Sequence, residues 1–223
     1  MRTLFHHPLC PFSRKVRIVL AEGHIPHEIF QEAFWCKREE FLDLNPLGEV
    51  PTLCWDDSVM TQSQAISEFL VTCLDYKGPL LMSSDNVTAF KIRSECLKAD
   101  DAFYNQVVKK IISEKYLKRQ QGHGGPDSRV LRSARNAVRF FLELINWTLE
   151  RQNWISSQHY SLADVSFASH ISSIDYFGAI DWDFFPEVKS WYARIKSRPS
   201  FSSLLHDKIP GIAPAAHYSD LDF

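Results

Sequence analysis

The sequence predicts two unlike halves: an α/β unit of order βαβαββα over residues 1–77 and an all-α bundle over residues 86–223. Three observations carry this. Short apolar runs alternate with segments of helical period through the first half. The strand pattern stops at the connector 78–85, which holds Pro79, Ser83, Ser84 and Asp85. From Ser128 onward, Leu131, Ala134, Val138, Leu142, Ile145 and Leu149 keep steps of three or four, the period of one long amphipathic helix.

Arg2 to His6 reads as the opening strand. Pro11 to Gly23 places Phe12, Val16, Val19 and Leu20 at helical spacing, with glycine where the helix stops. A second strand at His27 to Phe30 is followed by one or two helical turns at Glu39 to Leu44 and a turn at Asn45-Pro46-Leu47-Gly48. Pro51 to Trp55 and Val59 to Thr61 flank Asp56-Asp57-Ser58 as a hairpin, and Ser63 to Leu74 sets Ala65, Ile66, Phe69, Leu70 and Cys73 on one helical face. Asn86 to Lys118 is expected to be helical, with a loop over 120–127 before the long helix. Ser161 and Asp164 form an N-capping pattern. Trp35, Trp154, Trp182 and Trp191 are expected in the core or at domain interfaces, and the arginines of the long helix on its solvated face.

The tail 209–223 carries Pro210, Gly211 and Pro214, which favour extended chain. In it Tyr218, Leu221 and Phe223 are interleaved with Asp220 and Asp222, a pattern that gains only if the apolar groups dock, on the protein itself over the cleft near Cys10 or on a partner, the plain alternative being a packed-down terminus. Neither half's periodic face draws on these residues. Removing 217–223 is therefore expected to spare the fold and weaken partner binding.

Composition narrows the function. Lys and Arg number 25 against 27 Asp and Glu, a net charge of −2, so the chain lacks the broad positive field of a nucleic-acid binder. The N-terminus opens no apolar stretch long enough for a signal segment or a membrane span, which predicts a soluble, unexported protein. The 5 cysteines are odd in number, widely spaced and never paired as CxxC, a usage that fits a reducing cytoplasm and neither a disulfide framework nor a zinc knuckle. His6 and His7 face opposite sides of a strand with no third ligand spaced to join them, so no metal is expected.

Cys10 stands just before a helix, where unpaired N–H groups and the macrodipole favour thiolate. That makes it the candidate nucleophile and the thiol expected to react first. Arg14 and Lys15 either reinforce the thiolate or point into water. The plain alternative is a small half-buried residue beside Pro11.

Cys10-Pro11-Phe12-Ser13, Asn45-Pro46-Leu47-Gly48-Glu49-Val50-Pro51 and Thr61-Gln62-Ser63-Gln64-Ala65-Ile66, in that order, resemble the thioredoxin-like domain of the cytosolic glutathione transferase superfamily. The helical half, with Ser161-Leu162-Ala163-Asp164 opening a helix, extends the resemblance over essentially the whole chain. It implies the glutathione-transferase fold and a homodimer. It also implies a glutathione site built from Phe12, Val50, Pro51, Gln62 and Ser63. Val50, before a cis proline, would offer its backbone to the peptide-like middle of the ligand. Ser63 at a helix start would meet the glutamyl carboxylate. Ser13 replaces the second cysteine of a dithiol pair, which leaves monothiol chemistry at Cys10 or a role for the Ser13 hydroxyl as alternative donor. Gln62 stands where members usually carry Glu or Asp, and an amide loses the charge-assisted bond to the glutamyl ammonium. The implied glutathione site is weak or vestigial.

Arg151 to Trp154, Ser190 to Phe201 and the tail from Ile209 are similar to a bacterial subgroup of this superfamily that binds the tubulin-like division protein FtsZ. That similarity implies an FtsZ polymer as partner and a cytoplasmic protein acting at the division site. The expected contact residues are Tyr218, Asp220, Leu221, Asp222 and Phe223. Two functions stay open: partner binding, and glutathione-dependent transferase or thiol-transferase catalysis through Cys10.

Overall fold

The computed structural model describes residues 2–221. Strand β1 (Arg2–His6) pairs in parallel with β2 (Glu28–Gln31) and antiparallel with β3 (Thr52–Trp55), which pairs antiparallel with β4 (Ser58–Thr61). The sheet order is β2-β1-β3-β4. The β1/β3 register sets Leu4 opposite Leu53, and both join a core with Val16 and Val19 of α1 (Pro11–Glu22). The alternate residue Phe5 packs instead on Phe41 of α2 (Glu39–Leu44), ring centroids 5.5 Å apart, as the two-residue period of a strand requires. Proline fits the first turn of α1, where its missing N–H would have no partner in any case. Helix α3 (Ser63–Thr72) closes this half and sends Ile66 and Leu70 into the same core.

The connector passes close over the end of α1. A Cβ on Gly78 would lie 2.2 Å from the Glu22 carbonyl oxygen, so only glycine allows the crossing. Residues 86–120 then form one continuous helix, α4, with i→i+5 geometry over Lys98–Val108 and Ser113–Leu117. Asp85 caps it by accepting from the Thr88 N–H at 2.8 Å. Helix α5 (Ser128–Leu149) buries Ala134, Val138, Leu142, Ile145 and Leu149 of its stripe, and its arginines stay exposed.

All of α6 (Leu162–Asp175) is buried. Its start is held by a complete capping box, in which Asp164 accepts from the Ser161 N–H at 2.9 Å. The same carboxylate accepts from the Ile155 N–H at 2.9 Å and the Trp191 indole N–H at 3.0 Å. Trp191, on α7 (Pro186–Lys196), is fully buried, and Trp182 stacks on Tyr192 at 5.2 Å. Helix α8 (Pro199–Leu205) completes the bundle.

Helix α1 packs against both α6 and α8, so the two halves share one seam. Charged groups fix it. Arg17 donates to both oxygens of Asp207, at 2.7 and 3.0 Å. Glu22 accepts from Arg198 and, at 2.6 Å, from the Ser200 hydroxyl.

The tail corrects the sequence reading. Tyr218 is 0% exposed: its hydroxyl accepts from Arg14 at 2.8 Å and donates to the Leu204 carbonyl at 3.2 Å, and its ring meets Tyr176 at 5.1 Å. It is therefore part of the seam and no exposed partner anchor. Asp220 is exposed, with its backbone carbonyl held by Lys196, and Leu221 is partly exposed. Asp222 and Phe223 lie outside the described residues. The end of the expected extended tail is a turn over 216–219, and a lone aromatic group there has no period from which its docking could be read.

Candidate functional site

Cys10, Phe12, Val50, Pro51, Gln62 and Ser63 come together on one cleft of about 510 Å³, closed on its far side by Leu97, Asp100 and Tyr104 of α4. Cys10 is the N-cap of α1, half-buried, and its S–H points to the Val50 carbonyl at 3.5 Å. The Val50–Pro51 peptide is cis. Phe12 packs edge-on against Tyr104 at 4.6 Å, tying the start of α1 to the helical half.

Gln62 precedes α3 with φ +70°, a left-handed value uncommon outside glycine that is typically stored at ligand-contacting positions. Ser63 follows as the first helical residue, nearly buried, in the place where a carboxylate would meet free N–H groups. The cleft thus offers an extended backbone segment at Val50 and a helix start at Ser63, the features that hold a short peptide-like ligand.

The thiol chemistry departs from expectation. Burial pushes the Cys10 thiol up from its ordinary value, and the hydrogen bonds from Ser13 and Phe12 together with the Arg14 charge pull it down without offsetting that burial. The N-cap position does not by itself outweigh the burial that raises the Cys10 thiol. Ser13 is also corrected as an alternative donor to a ligand. It is fully buried behind Cys10, does not line the cleft, and accepts from the His7 N–H at 3.3 Å.

Neither Arg14 nor Lys15 points into water, since both are fully buried. Arg14 turns away from the cleft to Ser172, at 2.9 Å, and to Tyr218. Lys15 donates to Gln64 at 2.6 Å and Asp100 at 2.7 Å, two side chains that line the cleft. This inward pair of cations was not legible in the sequence, where charged residues off the apolar stripe read as solvated. Asp100 is likewise silent there, being one of two adjacent acids on a long helix.

His7 sits below Cys10 in an aromatic nest with Trp35 at 5.2 Å and Tyr116 at 5.4 Å. Its Nδ1 accepts from the Leu9 N–H at 3.2 Å, so the neutral ring carries its proton on Nε2 and donates to the Tyr116 hydroxyl at 3.2 Å. Burial first, then His6 and Arg14, lower its pKa to about 3. Among the described residues no group of three His, Cys, Asp or Glu side chains is arranged to hold a metal ion, and no helix is long and apolar enough to cross a membrane.

Comparison with known proteins places this geometry. The family model of the glutathione S-transferase N-terminal domain matches residues 9–73. FtsZ-localized protein A of Caulobacter vibrioides is 39% identical over 226 residues, covering 100% of this chain and 98% of the relative. The solved structure of FzlA from C. crescentus superposes with a TM-score of 0.95 at 39% identity, covering 100% of this chain and 99% of that one. A glutathione S-transferase from Rhodospirillum rubrum superposes equally well, with a TM-score of 0.95 at 40% identity and 100% coverage of both chains.

Proposed function

The chain belongs to the glutathione transferase superfamily, and from that premise we propose that it is a partner-binding member of the fold, docking on FtsZ at the bacterial division site. The full-length 39% identity to a protein named for its localization with FtsZ is the observation that carries this reading. The raised Cys10 thiol supports it from the other side, because a transferase working through that residue needs thiolate at the pH of the cell. The cleft keeps the form of a glutathione site, and with Gln62 in place of an acid it holds that ligand weakly.

The protein acts in the cytoplasm as a homodimer. Phe90 and Leu97 on α4 are 69% and 61% exposed, and between them Arg93 of α4 holds Glu68 of α3. A second copy would cover these groups, and two linked sites raise the effective concentration on a polymer. Co-sedimentation of the purified protein with assembled FtsZ tests the reading. Retention in the pellet above the level seen without FtsZ is expected, and a protein that stays in the supernatant overturns it. The catalytic alternative rests on the peptide-shaped cleft around Cys10. Turnover of glutathione with an electrophile, lost in Cys10→Ser, would establish it.

A further inference from the structure

A second hollow lies in the helical half and shares no lining residue with the thiol cleft. It is the larger of the two, about 710 Å³, a groove between α4, the first half of α5 and the turn 178–185. One wall is cationic. The Lys115 ammonium is pinned to the Phe177 carbonyl at 3.1 Å, and Arg135 stands close enough that burial and its charge together lower the Lys115 pKa. Neighbouring cations have acidic mates, Lys118 with Glu114 at 2.6 Å and Arg139 with Glu143 at 2.8 Å. Among the described residues Lys115 and Arg135 have no carboxylate in ion-pairing range, and the acids that share the groove with them are Asp181 and Asp183.

The lip of the groove is aromatic. Phe184 is 65% exposed with the Arg139 guanidinium over its ring at 5.8 Å. On the outer face of α5, exposed Phe140, Leu144 and Trp147 form a row at steps of four and three, and none of them lines the groove. Aromatic groups beside arginine, as Phe184 beside Arg139, are the composition of protein-binding surfaces. Asp181 and Asp183, on the turn that also carries Phe184, repel a continuous polyanion. A polypeptide with spaced carboxylates can turn them toward Lys115 and Arg135 and lay its apolar side chains on Phe184.

We infer that this groove receives an acidic segment of FtsZ bearing large apolar side chains. The inference rests on the function proposed above. The full-length protein, its Arg135→Glu and Lys115→Gln variants, and a Lys77→Glu control are compared by co-sedimentation with FtsZ at rising salt, with unchanged thermal melting required of each. Arg135→Glu is expected to weaken pelleting at least tenfold and flatten its salt dependence, Lys115→Gln to weaken it severalfold, and Lys77→Glu to match wild type.

A parallel anisotropy titration uses a fluorescein-labelled ten-residue peptide of Asp alternating with Leu and Phe, against the same peptide with Lys for Asp. Preference for the acidic peptide, lost in Arg135→Glu, is the expected result. Wild-type pelleting that Arg135→Glu leaves unchanged overturns the groove and spares the function. Absence of wild-type pelleting with intact acidic-peptide binding removes FtsZ as the source, and absence of both removes the proposal entirely.

Discussion

The hydroxyl of Tyr218, five residues before the last, accepts a 2.8 Å hydrogen bond from Arg14, whose guanidinium is fully buried at the seam between the two halves. The contact joins the first helix to the last described turn. Tyr218→Phe leaves that charged donor short of one partner, a loss of about 2 kcal/mol for a hydrogen bond to a charged group. The expected result is a melting temperature lower by roughly 4–8 °C. Deleting residues 217–223 also empties the space of a buried ring, so a larger fall is expected. A truncated protein that melts with the wild type would show that the seam does not depend on the tail.

The paired histidines predict an acid-sensitive fold. Burial holds both His6 and His7 at about 3, against an ordinary value of 6.5. Both are neutral when folded, while the unfolded chain takes up protons below about 6.5. Stability is therefore complete above that value and falls as pH drops toward 3. His7→Gln removes one of the two groups and should flatten the decline of melting temperature between pH 7 and pH 4. An equally steep decline in the variant would count against this origin.

What the sequence made legible was periodic or punctuated. Leu131 to Leu149 announced α5 by spacing, Gly23 marked the end of α1, and the ordered motifs at Cys10, Asn45 and Thr61 fall on one cleft. Groups whose role depends on a partner far along the chain were silent. Arg14 meets Tyr218 across 204 residues and Lys15 meets Asp100 across 85, and nothing local distinguishes such cations from solvated ones. Burial at Cys10 was hard to read for a related reason. The helix start is a local feature, while the burial that outweighs it comes from packing.

The exposed face of α4 predicts assembly. Phe90→Glu places a charge where a second copy would cover an aromatic group, and an unpaired buried charge is strongly unfavourable. Light scattering should give twice 25.8 kDa for the wild type and a single copy for the variant. A wild-type monomer at micromolar concentration would remove the dimer from the proposed function.

Thiol labelling should follow exposure. Cys36 is exposed, whereas Cys10 is half-buried with its pKa raised and its S–H turned to Val50. Pulse alkylation at pH 7 with peptide mapping is expected to modify Cys36 before Cys10. First labelling of Cys10 would return weight to the catalytic alternative.

The Gln62 position separates ligand binding from partner binding. Its side chain is exposed at the cleft and makes no cap to α3, so Gln62→Glu alters charge with little change in packing. The backbone there is already left-handed at φ +70°, and an unbranched side chain of the same length meets the same strain. A carboxylate in this place can take a charge-assisted bond from the glutamyl ammonium, which an amide cannot match. Glutathione affinity measured by calorimetry should therefore rise about tenfold, the equivalent of about 1.4 kcal/mol. Co-sedimentation with FtsZ should stay at the wild-type level, because the groove that meets the partner contains no residue of this cleft. Unchanged glutathione affinity would mean that the cleft no longer seats the tripeptide at all. A simultaneous loss of pelleting would instead place the thiol cleft itself within the FtsZ-binding surface.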